Sequence, residues 1–406
     1  MKFNPAPSAI MHIDLNSCFA SVEQQANPNL RGRPIAVAAY TTPNGCILAA
    51  SIEAKKLGIK TGLRIKEGKM LCPNLVVLSP DTDKYRFIHL QFHKLLSKFS
   101  PKVIPKSIDE FVLDFHTQPQ HLSHLFSIGR QIKSQIKSQI GDWLTVSIGI
   151  GPNRFLAKMA SNLKKPDGLE EICLKNYLEV YSKLEILDLH GINTRLNARL
   201  SAGKIFTVLD FLKSDICHLK SVFHSIASYY WYLRLRGYEI DDVDFGRKSF
   251  GHMYSLPKHL TSSNSLAPIL HRLVSKMGYR LRNNGYQSRG FYLGLLYTDH
   301  SYWHQHRLFK QYFFADSDLY RCLFRLLQSS PQQIPIANLA ISCFDLMKNN
   351  SIQLDLFSKV NKNLNISRAL DSLNKKYGSS IINYADFSTH LPDRIGFGNF
   401  DRLTDI

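Results

Sequence analysis

The sequence predicts an α+β protein of several domains, and three observations support this prediction. The chain has 406 residues, which is too long for a single hydrophobic core. Residues 1–172 mix short strands with helices in the manner of a split βαβ unit, whereas residues 173–237 have an almost entirely helical pattern. A polar linker at 238–246 leads to a second region of alternating strands and helices at 247–346, and a tail follows at 347–406.

Hydrophobic spacing and turn residues predict the elements of the first region. A short buried strand over residues 10–13 ends at Asp14, and the turn sequence PNG at 43–45 separates two strand-like runs. Apolar side chains recur at helical spacing within residues 85–99. The predicted strands are 10–13, 35–39, 46–50, 108–115 and 144–150, and the predicted helices are 19–25, 52–57, 65–71, 85–99, 122–140 and 154–163.

The charge of the chain indicates a polyanionic partner. The formal net charge is +19 at pH 7 and the pI is about 9.5. Nucleic acid is the commonest partner of a protein with such a balance, although a merely basic globular protein is the alternative. The hydrophobic content of 44% is typical of a folded protein and argues against extensive disorder.

The cysteines and the N-terminal segment predict a cytoplasmic protein. Seven cysteines are scattered without a C-x-x-C pair, so neither a disulfide framework nor a structural zinc site is expected. Residues 1–10 lack the apolar core of a signal peptide, and no run approaches the roughly 20 apolar residues of a membrane span. No association with a membrane is therefore expected.

Three carboxylates form the candidate catalytic constellation. Asp14 ends the first predicted strand, and Asp109 and Glu110 are adjacent on the strand predicted at 108–115. Consecutive strand residues point to opposite faces, so both can reach one metal centre only at an edge or a bend. Carboxylates of this kind suit Mg²⁺, and a pair of ions can assist phosphoryl transfer. Taken alone, Asp14 is more often a strand-end cap than a metal ligand, and the pair Asp109 and Glu110 is scarcely more specific.

Five short motifs, in order along the chain, resemble those of the Y-family DNA polymerases. Residues 13–23 (IDLNSCFASVE) resemble the opening motif of the family, and residues 107–110 (SIDE) resemble its second catalytic motif. Residues 147–151 (SIGIG), 158–161 (KMAS) and 165–168 (KPDG) resemble its third block. The match of all five in register is far more specific than any single motif.

The resemblance implies a right-hand polymerase with a palm, fingers, a helical thumb and an α/β little finger. It implies low-fidelity, distributive translesion DNA synthesis by two-metal nucleotidyl transfer, in DNA repair and the SOS response. The expected domains are a palm at 1–17 and 84–172, fingers at 18–83, a thumb at 173–237, a linker at 238–246, a little finger at 247–346 and a tail at 347–406.

The resemblance also assigns roles to individual residues. Asp14, Asp109 and Glu110 would hold two Mg²⁺ ions. The ring of Phe19 would be the steric gate that leaves no room for a 2′-hydroxyl group. The expected nucleotide-binding residues are Cys18, Phe19, Lys55 and Lys165.

Three residues depart from the pattern of many family members. Ile52 and Lys55 stand where many members, including those of the DNA polymerase IV type, have Tyr and Arg. Ile52 cannot form a hydrogen bond, and Lys55 lacks the planar fork of Arg, so the grip on the triphosphate should be weaker. Asn16 replaces a frequent second Asp. These departures resemble the UmuC branch of the family, so both branches remain open.

The remaining candidate residues concern DNA. Residues 187–193 resemble a helix-hairpin-helix, in which Gly191 and Asn193 would offer backbone N–H groups to a phosphate, with a simple helical turn as the alternative. Arg247 and Lys248 open the predicted little finger, where Lys and Arg outnumber Asp and Glu by twelve to four over residues 247–346. DNA binding should therefore depend strongly on salt.

The tail contains a pentapeptide that resembles the motif by which bacterial DNA enzymes dock on the sliding clamp. Its apolar pair would enter a hydrophobic pocket of the clamp, and its Gln would fix the register. The motif residues are Gln353, Leu354, Asp355, Leu356 and Phe357. A helix is predicted after it at 365–376, stopped by Gly378.

The expected partners are primer–template DNA, deoxynucleoside triphosphates and the sliding clamp, with a UmuD-like accessory subunit and RecA if the chain belongs to the UmuC branch. Two other functions remain open. One is a non-catalytic scaffold that binds the clamp and recruits another polymerase, which loss of the carboxylates would signal. The other is a plain helix-hairpin-helix DNA-binding protein, which would bind DNA without consuming nucleotides.

Overall fold

The structure is a computed structural model that divides into two compact units. The first unit extends to Val243, and the second begins at Asp244, within the predicted linker. The residues that the structure describes are 2–243, 246–331, 334–348 and 359–377, with the backbone alone at 257–259, 359–364 and 375.

The first unit combines two β-sheets with helices that cover them. Its strands are β1 (Ile10–Leu15), β2 (Ile35–Ala38), β3 (Ile47–Ala50), β4 (Val76–Leu78), β5 (Lys102–Pro105), β6 (Glu110–Asp114), β7 (Val146–Gly151) and β8 (Leu169–Glu171). Its helices are α1 (Cys18–Ala26), α2 (Ile52–Lys56), α3 (Ile65–Leu71), α4 (Thr82–Leu96), α5 (Leu125–Gln139), α6 (Arg154–Leu163), α7 (Tyr177–Lys183), α8 (Thr194–Ala202), α9 (Val208–Lys213), α10 (Ile216–Phe223) and α11 (Ala227–Arg234).

The larger sheet positions the candidate catalytic residues. Its strand order is β5-β6-β1-β7-β8, so β1 is the central strand, with antiparallel β6 and β7 on either side. All six residues of β1 and all six of β7 are buried. Strands covered on both faces are expected to be nearly continuous in apolar residues, which makes the polar His12 and Asp14 of β1 exceptional. Both therefore need partners in the interior.

Helix α6 packs on the central strands of this sheet. Gly149 and Gly151 of β7 allow the close approach, because a Cβ at Gly149 would lie 2.1 Å from the carbonyl oxygen of Ala157. Asn153 caps the helix, with its side chain accepting a hydrogen bond from the Leu156 N–H. The bounds of α6 are those predicted from the sequence.

A smaller sheet and a helical region complete the first unit. The smaller sheet has the order β3-β2-β4 and shares a core with α2 and α3, built on small residues such as Ala36 and Ala50. The helical region comprises α7 to α11, and its core includes Phe211 and Trp231. Tyr181 joins this core, and its hydroxyl donates to the Leu235 carbonyl at 2.7 Å.

The second unit is a four-stranded antiparallel sheet with helices on one face. Its sheet order is β11-β10-β12-β9, and its core includes Leu270 of α12, Leu293 of β10 and Leu323 of α13. The elements are β9 (Ser249–Leu260), α12 (Ser263–Asn283), β10 (Tyr286–Tyr297), β11 (Tyr302–Phe313), α13 (Asp316–Gln328), β12 (Ile336–Lys348) and α14 (Lys359–Tyr377).

Helix α14 packs against the rest of the second unit through a buried ion pair. Asp371 accepts two hydrogen bonds of 2.7 Å from Arg282, which also donates to Asp316 at 2.6 Å. The apolar side chains of Ile366 and Leu373 on this helix are 46% and 40% exposed. The predicted clamp motif, Gln353 to Phe357, lies outside the described residues.

Several elements differ from their predicted bounds; the helix predicted at 85–99, for example, spans Thr82–Leu96. The strand predicted at 108–115 begins only at Glu110, so Asp109 lies before it. The helix predicted at 122–140 begins at Leu125, because Pro119–His124 forms a 3-10 helix. The first helix of the predicted helix-hairpin-helix is a three-residue 3-10 turn, Ile186–Asp188. Within the described part of the chain, no helix combines the length and apolar character that crossing a membrane requires.

Candidate active site

Asp14 and Glu110 face each other across neighbouring strands. The antiparallel register of β1 and β6 places Asp14 directly opposite Glu110, and that of β1 and β7 places it opposite Ser147. Side chains of directly opposed residues share one face of the sheet, so the two carboxylates converge there. Asp14 is 7% exposed, so its charge lies in the interior.

Asp109 lies in the bend that leads into β6, where its backbone is not restricted to the strand alternation. Its carbonyl oxygen accepts a hydrogen bond from the Leu15 N–H at 2.9 Å. Its Oδ1 accepts one from the Ser107 hydroxyl at 2.5 Å. The prediction that Asp109 is a strand residue is therefore wrong, and the bend is the feature that lets consecutive residues turn toward one site.

His12 joins two of the carboxylates in a possible ligand group. Potential ligand atoms of His12, Asp14 and Glu110 all lie within 4.8 Å of one another, and Asp109 is outside this group in the described structure. His12 Nε2 lies 3.4 Å from Glu110 Oε2. Sequence reasoning missed His12, although its position two residues before Asp14 places both on the same face of β1.

Two lysines neutralise these carboxylates. Lys158 of α6 is 9% exposed, and its Nζ lies 3.0 Å from Asp14 Oδ2 and 2.5 Å from Glu110 Oε1. Lys165 follows α6, and its Nζ lies 2.8 Å from the same oxygen of Asp14. Buried charges require such partners. Lys165 was predicted as a nucleotide-binding residue, whereas the contacts of Lys158 could not be read from its motif.

The environments of the acidic groups differ. Burial raises the pKa of Asp109. The hydrogen bond from Ser107 opposes this effect, and the charges of Asp14 and Glu110 add to it. Although burial acts in the opposite direction, contact with His12 and the charge of Lys158 lower the pKa of Glu110. Burial lowers the pKa of His12, which favours the neutral imidazole.

The predicted steric gate and its neighbour are buried in α1. Phe19 is 8% exposed and stacks on Tyr85 of α4, with ring centroids 4.4 Å apart. The Tyr85 hydroxyl donates to Glu23 at 2.8 Å, which fixes the supporting ring. Burial raises the pKa of the Cys18 thiol, and the carboxylates of Asp109 and Asp14 raise it further, so Cys18 lies beside the acidic site as a neutral group.

Lys55 lies near the same site, whereas Ile52 contributes no polar atom to it. Helix α2 begins after Ser51, whose hydroxyl accepts a hydrogen bond from the Ala54 N–H at 3.3 Å. Much of the Lys55 side chain is exposed, but packing around its ammonium lowers the pKa, and the charge of Lys165 lowers it further. The structure therefore places Lys55 close enough to Lys165 and Asp14 for the charges of these residues to affect its pKa.

The predicted DNA-contact residues are found in the helical region of the first unit and at the start of the second unit. Gly191 is exposed, with φ of +96°, in the loop before α8. Asn193 is the cap of α8, and its Oδ1 accepts a hydrogen bond from the Leu196 N–H at 2.9 Å. In the second unit, Lys248 is exposed and the guanidinium of Arg247 lies 4.8 Å from the ring centre of Phe250.

Comparisons with known proteins identify the family. The profile of the impB/mucB/samB family matches residues 13–162, and that of the family's C-terminal domain matches residues 247–356. A DNA polymerase IV from Pelotomaculum thermopropionicum is 31% identical over 379 residues, which are 92% of this chain and 94% of the relative.

Two solved structures share the fold. A Y-family DNA polymerase chimera of Dbh and Dpo4 matches with a TM-score of 0.74 at 23% identity, over 84% of this chain and 99% of that one. The insertion ternary complex of Dbh DNA polymerase matches with a TM-score of 0.59 at 22% identity, over 84% of this chain and 99% of that one. The predicted multidomain α+β fold is thereby confirmed.

The two family profiles together match more than half of the chain, and the DNA polymerase IV relative exceeds 30% identity over nearly its whole length. These findings do not favour the scaffold or the plain DNA-binding protein. The chain therefore belongs to the impB/mucB/samB family, the Y family of DNA polymerases.

Proposed function

We propose that this chain, a DNA-directed DNA polymerase by its family, extends primers across damaged template by low-fidelity, distributive synthesis in DNA repair and the SOS response. The observation that carries the proposal is the convergence of Asp14 and Glu110 on one face of the central sheet, with Asp109 in the adjoining bend. An acidic site of this kind suits nucleotidyl transfer, in which a divalent cation is needed beside the phosphates.

The donor set fits divalent metal ions. Asp14, Asp109 and Glu110 offer carboxylate oxygens, the ligands that Mg²⁺ prefers, and ligand atoms of His12, Asp14 and Glu110 lie within 4.8 Å of one another. We infer that the three carboxylates hold two Mg²⁺ ions. When bound, such ions activate the primer 3′-hydroxyl and neutralise charge that develops on the phosphates.

The residues around the carboxylates bind and select the nucleotide. Lys165 and Lys55 would place positive charge against the triphosphate, with Lys55 acting as a point charge in place of a planar guanidinium. The ring of Phe19, backed by Tyr85, would exclude a 2′-hydroxyl group, and the neutral Cys18 would line the same pocket.

The domain assignment is part of the proposal. Both sheets and the intervening helices of residues 1–172 would be the palm and fingers, with the fingers at 18–83. The helical region at 173–237 would be the thumb, the segment at 238–246 the linker, and the unit at 247–346 the little finger. The break between compact units after Val243 supports a linker at this position.

DNA would contact the thumb and the little finger without sequence readout. The exposed Gly191 loop ahead of α8 supports phosphate binding through backbone N–H groups, with Asn193 holding the helix end. Arg247 and Lys248 begin a unit in which basic residues outnumber acidic ones threefold, so phosphate contacts should dominate its affinity.

We infer that other proteins bind this polymerase and support its DNA synthesis. Residues 353–357 (QLDLF) would bind the sliding clamp through Leu356 and Phe357. A cytoplasmic protein with DNA polymerase IV-like activity needs no further subunit, whereas a UmuC-like one would need a UmuD-like subunit and RecA. Extension by the purified chain alone favours the first alternative.

A primer-extension assay tests the proposal. Wild-type protein, Asp109→Ala and the surface control Asp83→Ala are compared with Mg²⁺, primed template and all four deoxynucleotides, with and without clamp. We expect extension by wild type and by the control, stimulation by clamp, and loss of extension in Asp109→Ala. Equal activity of Asp109→Ala and wild type would contradict the metal-site assignment. Stimulation that survives in Leu356→Ala/Phe357→Ala would contradict the clamp assignment.

A further inference from the structure

Asn16 connects the catalytic strand to the segment that carries Lys165. It is 5% exposed and follows β1, two residues after Asp14. Its Nδ2 donates to the Ser147 hydroxyl at 2.8 Å, and its Oδ1 accepts hydrogen bonds from the Thr145 hydroxyl at 3.2 Å and the Asp167 N–H at 2.9 Å. One side chain thus joins three segments that are far apart in sequence.

The loop at 164–168 (the lysine loop) carries Lys165 and is held at Asp167. The backbone of Asp167 has φ of +60°, a left-handed conformation that a non-glycine residue keeps only when its surroundings hold it. The Asp167 N–H donates to Asn16 Oδ1, and the Nζ of Lys133 in α5 lies 3.1 Å from the Asp167 carboxylate. Two segments far from the loop in sequence therefore hold it.

Lys165 depends on this loop for its place. Its side chain is 36% exposed, and its Nζ lies 2.8 Å from Asp14 Oδ2. A lysine side chain is flexible, so the backbone position of the loop decides where its ammonium can reach. A small displacement of a substrate-positioning group is enough to weaken its interaction substantially.

We propose that Asn16 is a positioning residue, which holds the lysine loop against the catalytic strand so that Lys165 meets the triphosphate of the incoming nucleotide. This inference rests on the proposed role of Lys165. An amide supplies both the donor for Ser147 and the acceptor for Thr145 and Asp167, and it adds no negative charge beside three carboxylates. An Asp at this position would keep the acceptors and add a fourth carboxylate.

The test compares nucleotide affinity and loop protection in matched variants. Asn16→Leu removes all three side-chain hydrogen bonds, whereas the control Thr145→Val removes one and spares that to Asp167. The dissociation constant for deoxynucleotide is measured on a dideoxy-terminated primer, together with hydrogen exchange over residues 164–168. We expect Asn16→Leu to weaken nucleotide binding about tenfold and to speed exchange of the lysine loop, with Thr145→Val close to wild type.

A double-mutant cycle with Lys165→Ala separates this inference from the proposed function. If Lys165→Ala alone leaves nucleotide affinity unchanged, the assigned role of Lys165 is wrong. If Lys165→Ala weakens binding and Asn16→Leu adds its full effect on top, Asn16 does not act through Lys165 and the inference is overturned. Should Asn16→Leu fail to fold, Asn16→Ala decides the question, because it removes the bond to Asp167 with a smaller change in side-chain shape. Loop exchange in Asn16→Ala that stays at the wild-type rate would also overturn the inference.

Discussion

Lys158 gives the acidic site an internal counter-charge. Its ammonium lies between Asp14 and Glu110 and is largely withdrawn from water. Without a cation, carboxylates this close would repel each other. The ammonium of Lys158 offsets this repulsion within the protein itself.

Phe19 is the residue for which the expected change in specificity is clearest. Substituting Ala removes the ring that stacks on Tyr85 and opens space where the nucleotide sugar is expected. We expect Phe19→Ala to raise the insertion of ribonucleotides relative to deoxynucleotides by at least about tenfold, equivalent to about 1.4 kcal/mol. Single-nucleotide insertion kinetics with matched dNTP and NTP measure this ratio.

Tyr85→Phe is the control for the gate, because it keeps both stacked rings and loses only the hydrogen bond to Glu23. Its sugar selectivity should stay near that of wild type. If Phe19→Ala discriminates against ribonucleotides as strongly as wild type does, Phe19 is not the gate.

Helix α4 supports two parts of the site from one face. Tyr85 and His89 are four residues apart, so they lie one turn from each other on the same side of the helix. Tyr85 backs the Phe19 ring, while His89 Nδ1 donates to the Ile108 carbonyl at 2.9 Å, next to Asp109. The His89 ring also stacks on Phe111, with centroids 4.7 Å apart.

Loss of the His89 hydrogen bond should loosen the bend that carries Asp109. His89 is 1% exposed, and burial lowers its pKa, so it acts as a neutral donor. We expect His89→Leu to weaken Mn²⁺ binding and to lower the extension rate, each by about tenfold. Isothermal titration with Mn²⁺ measures the first effect without requiring turnover.

Two variants of the same helix serve as controls for His89. His89→Asn places an amide N–H near the position of Nδ1 and should restore much of the Mn²⁺ affinity. His93→Leu changes the next histidine along α4, whose ring lies farther from Phe111, at 6.4 Å. An equal loss of Mn²⁺ affinity in His93→Leu and His89→Leu would contradict a specific role for the Ile108 contact.

The start of the predicted linker is bound to the large sheet through α6. Arg154 is 5% exposed, and its guanidinium contacts Asp114 of β6 at 3.3 Å, Glu239 at 2.8 Å and Asp242 at 2.5 Å. Asn153 adds a hydrogen bond of 3.0 Å to the Tyr238 carbonyl. Residues 238–242 are therefore a packed part of the first unit.

Asp114 should make the folding stability that this network contributes depend measurably on pH. Although burial opposes it, hydrogen bonds from the His116 N–H and from Lys102 lower the pKa of Asp114 to about 2. Because the pKa of Asp114 is lower in the folded protein than the value of about 4 in the unfolded chain, its carboxylate stabilises the fold above that pH. This contribution is lost as pH falls toward the folded-state pKa of about 2. It amounts to on the order of 2 kcal/mol at neutral pH.

Urea denaturation of wild type and Asp114→Asn from pH 7 down to pH 2 checks this expectation. Asp114→Asn should be less stable at pH 7, and the difference should shrink as the wild-type carboxylate is protonated. Asp83→Asn, at a highly exposed carboxylate, is the control and should follow wild type throughout. A difference in stability that stays constant across the pH range would contradict the role given to Asp114.

Basic and acidic residues are arranged differently in the molecule. A net charge of +19 accompanies a compact cluster of carboxylates in the interior of the first unit, and Lys and Arg outnumber Asp and Glu in both units. A basic exterior attracts the DNA backbone from a distance, whereas a local acidic centre attracts cations. A polymerase needs both the attraction for DNA and the attraction for cations.

This distribution predicts how DNA binding responds to salt. Binding should weaken linearly in a plot of log affinity against log salt concentration, because each phosphate contact releases counterions. Replacing the exposed Lys248 by Ala should lower the slope by about 1 and weaken binding equally on all sequences. Fluorescence anisotropy with two unrelated primed duplexes measures both effects.

Lys213→Ala, at the end of α9, is a control of the same charge change in the helical region. An unchanged salt slope in Lys248→Ala, or the same reduction in both variants, would contradict a specific phosphate contact at Lys248.

Local patterns were sufficient for most elements that build the site. The bounds of α6 and α3 agree with the predicted ones, because helical periodicity and caps are carried by neighbouring residues. The order of the five family motifs likewise needed no structure. Predicted strand bounds were less reliable, and the strand at 108–115 begins two residues late, because a bend before β6 is held by contacts with other segments.

The tertiary structure alone decided which groups meet in the site. Lys158 reaches Asp14 across 144 positions of sequence, and Asn16 reaches Asp167 across 151. His12 became part of the acidic group only when β6 paired with β1. Such contacts depend on strand pairing and helix packing, which no local pattern contains. The sequence therefore determined the family and the three candidate carboxylates, whereas the fold determined how those carboxylates are neutralised and held.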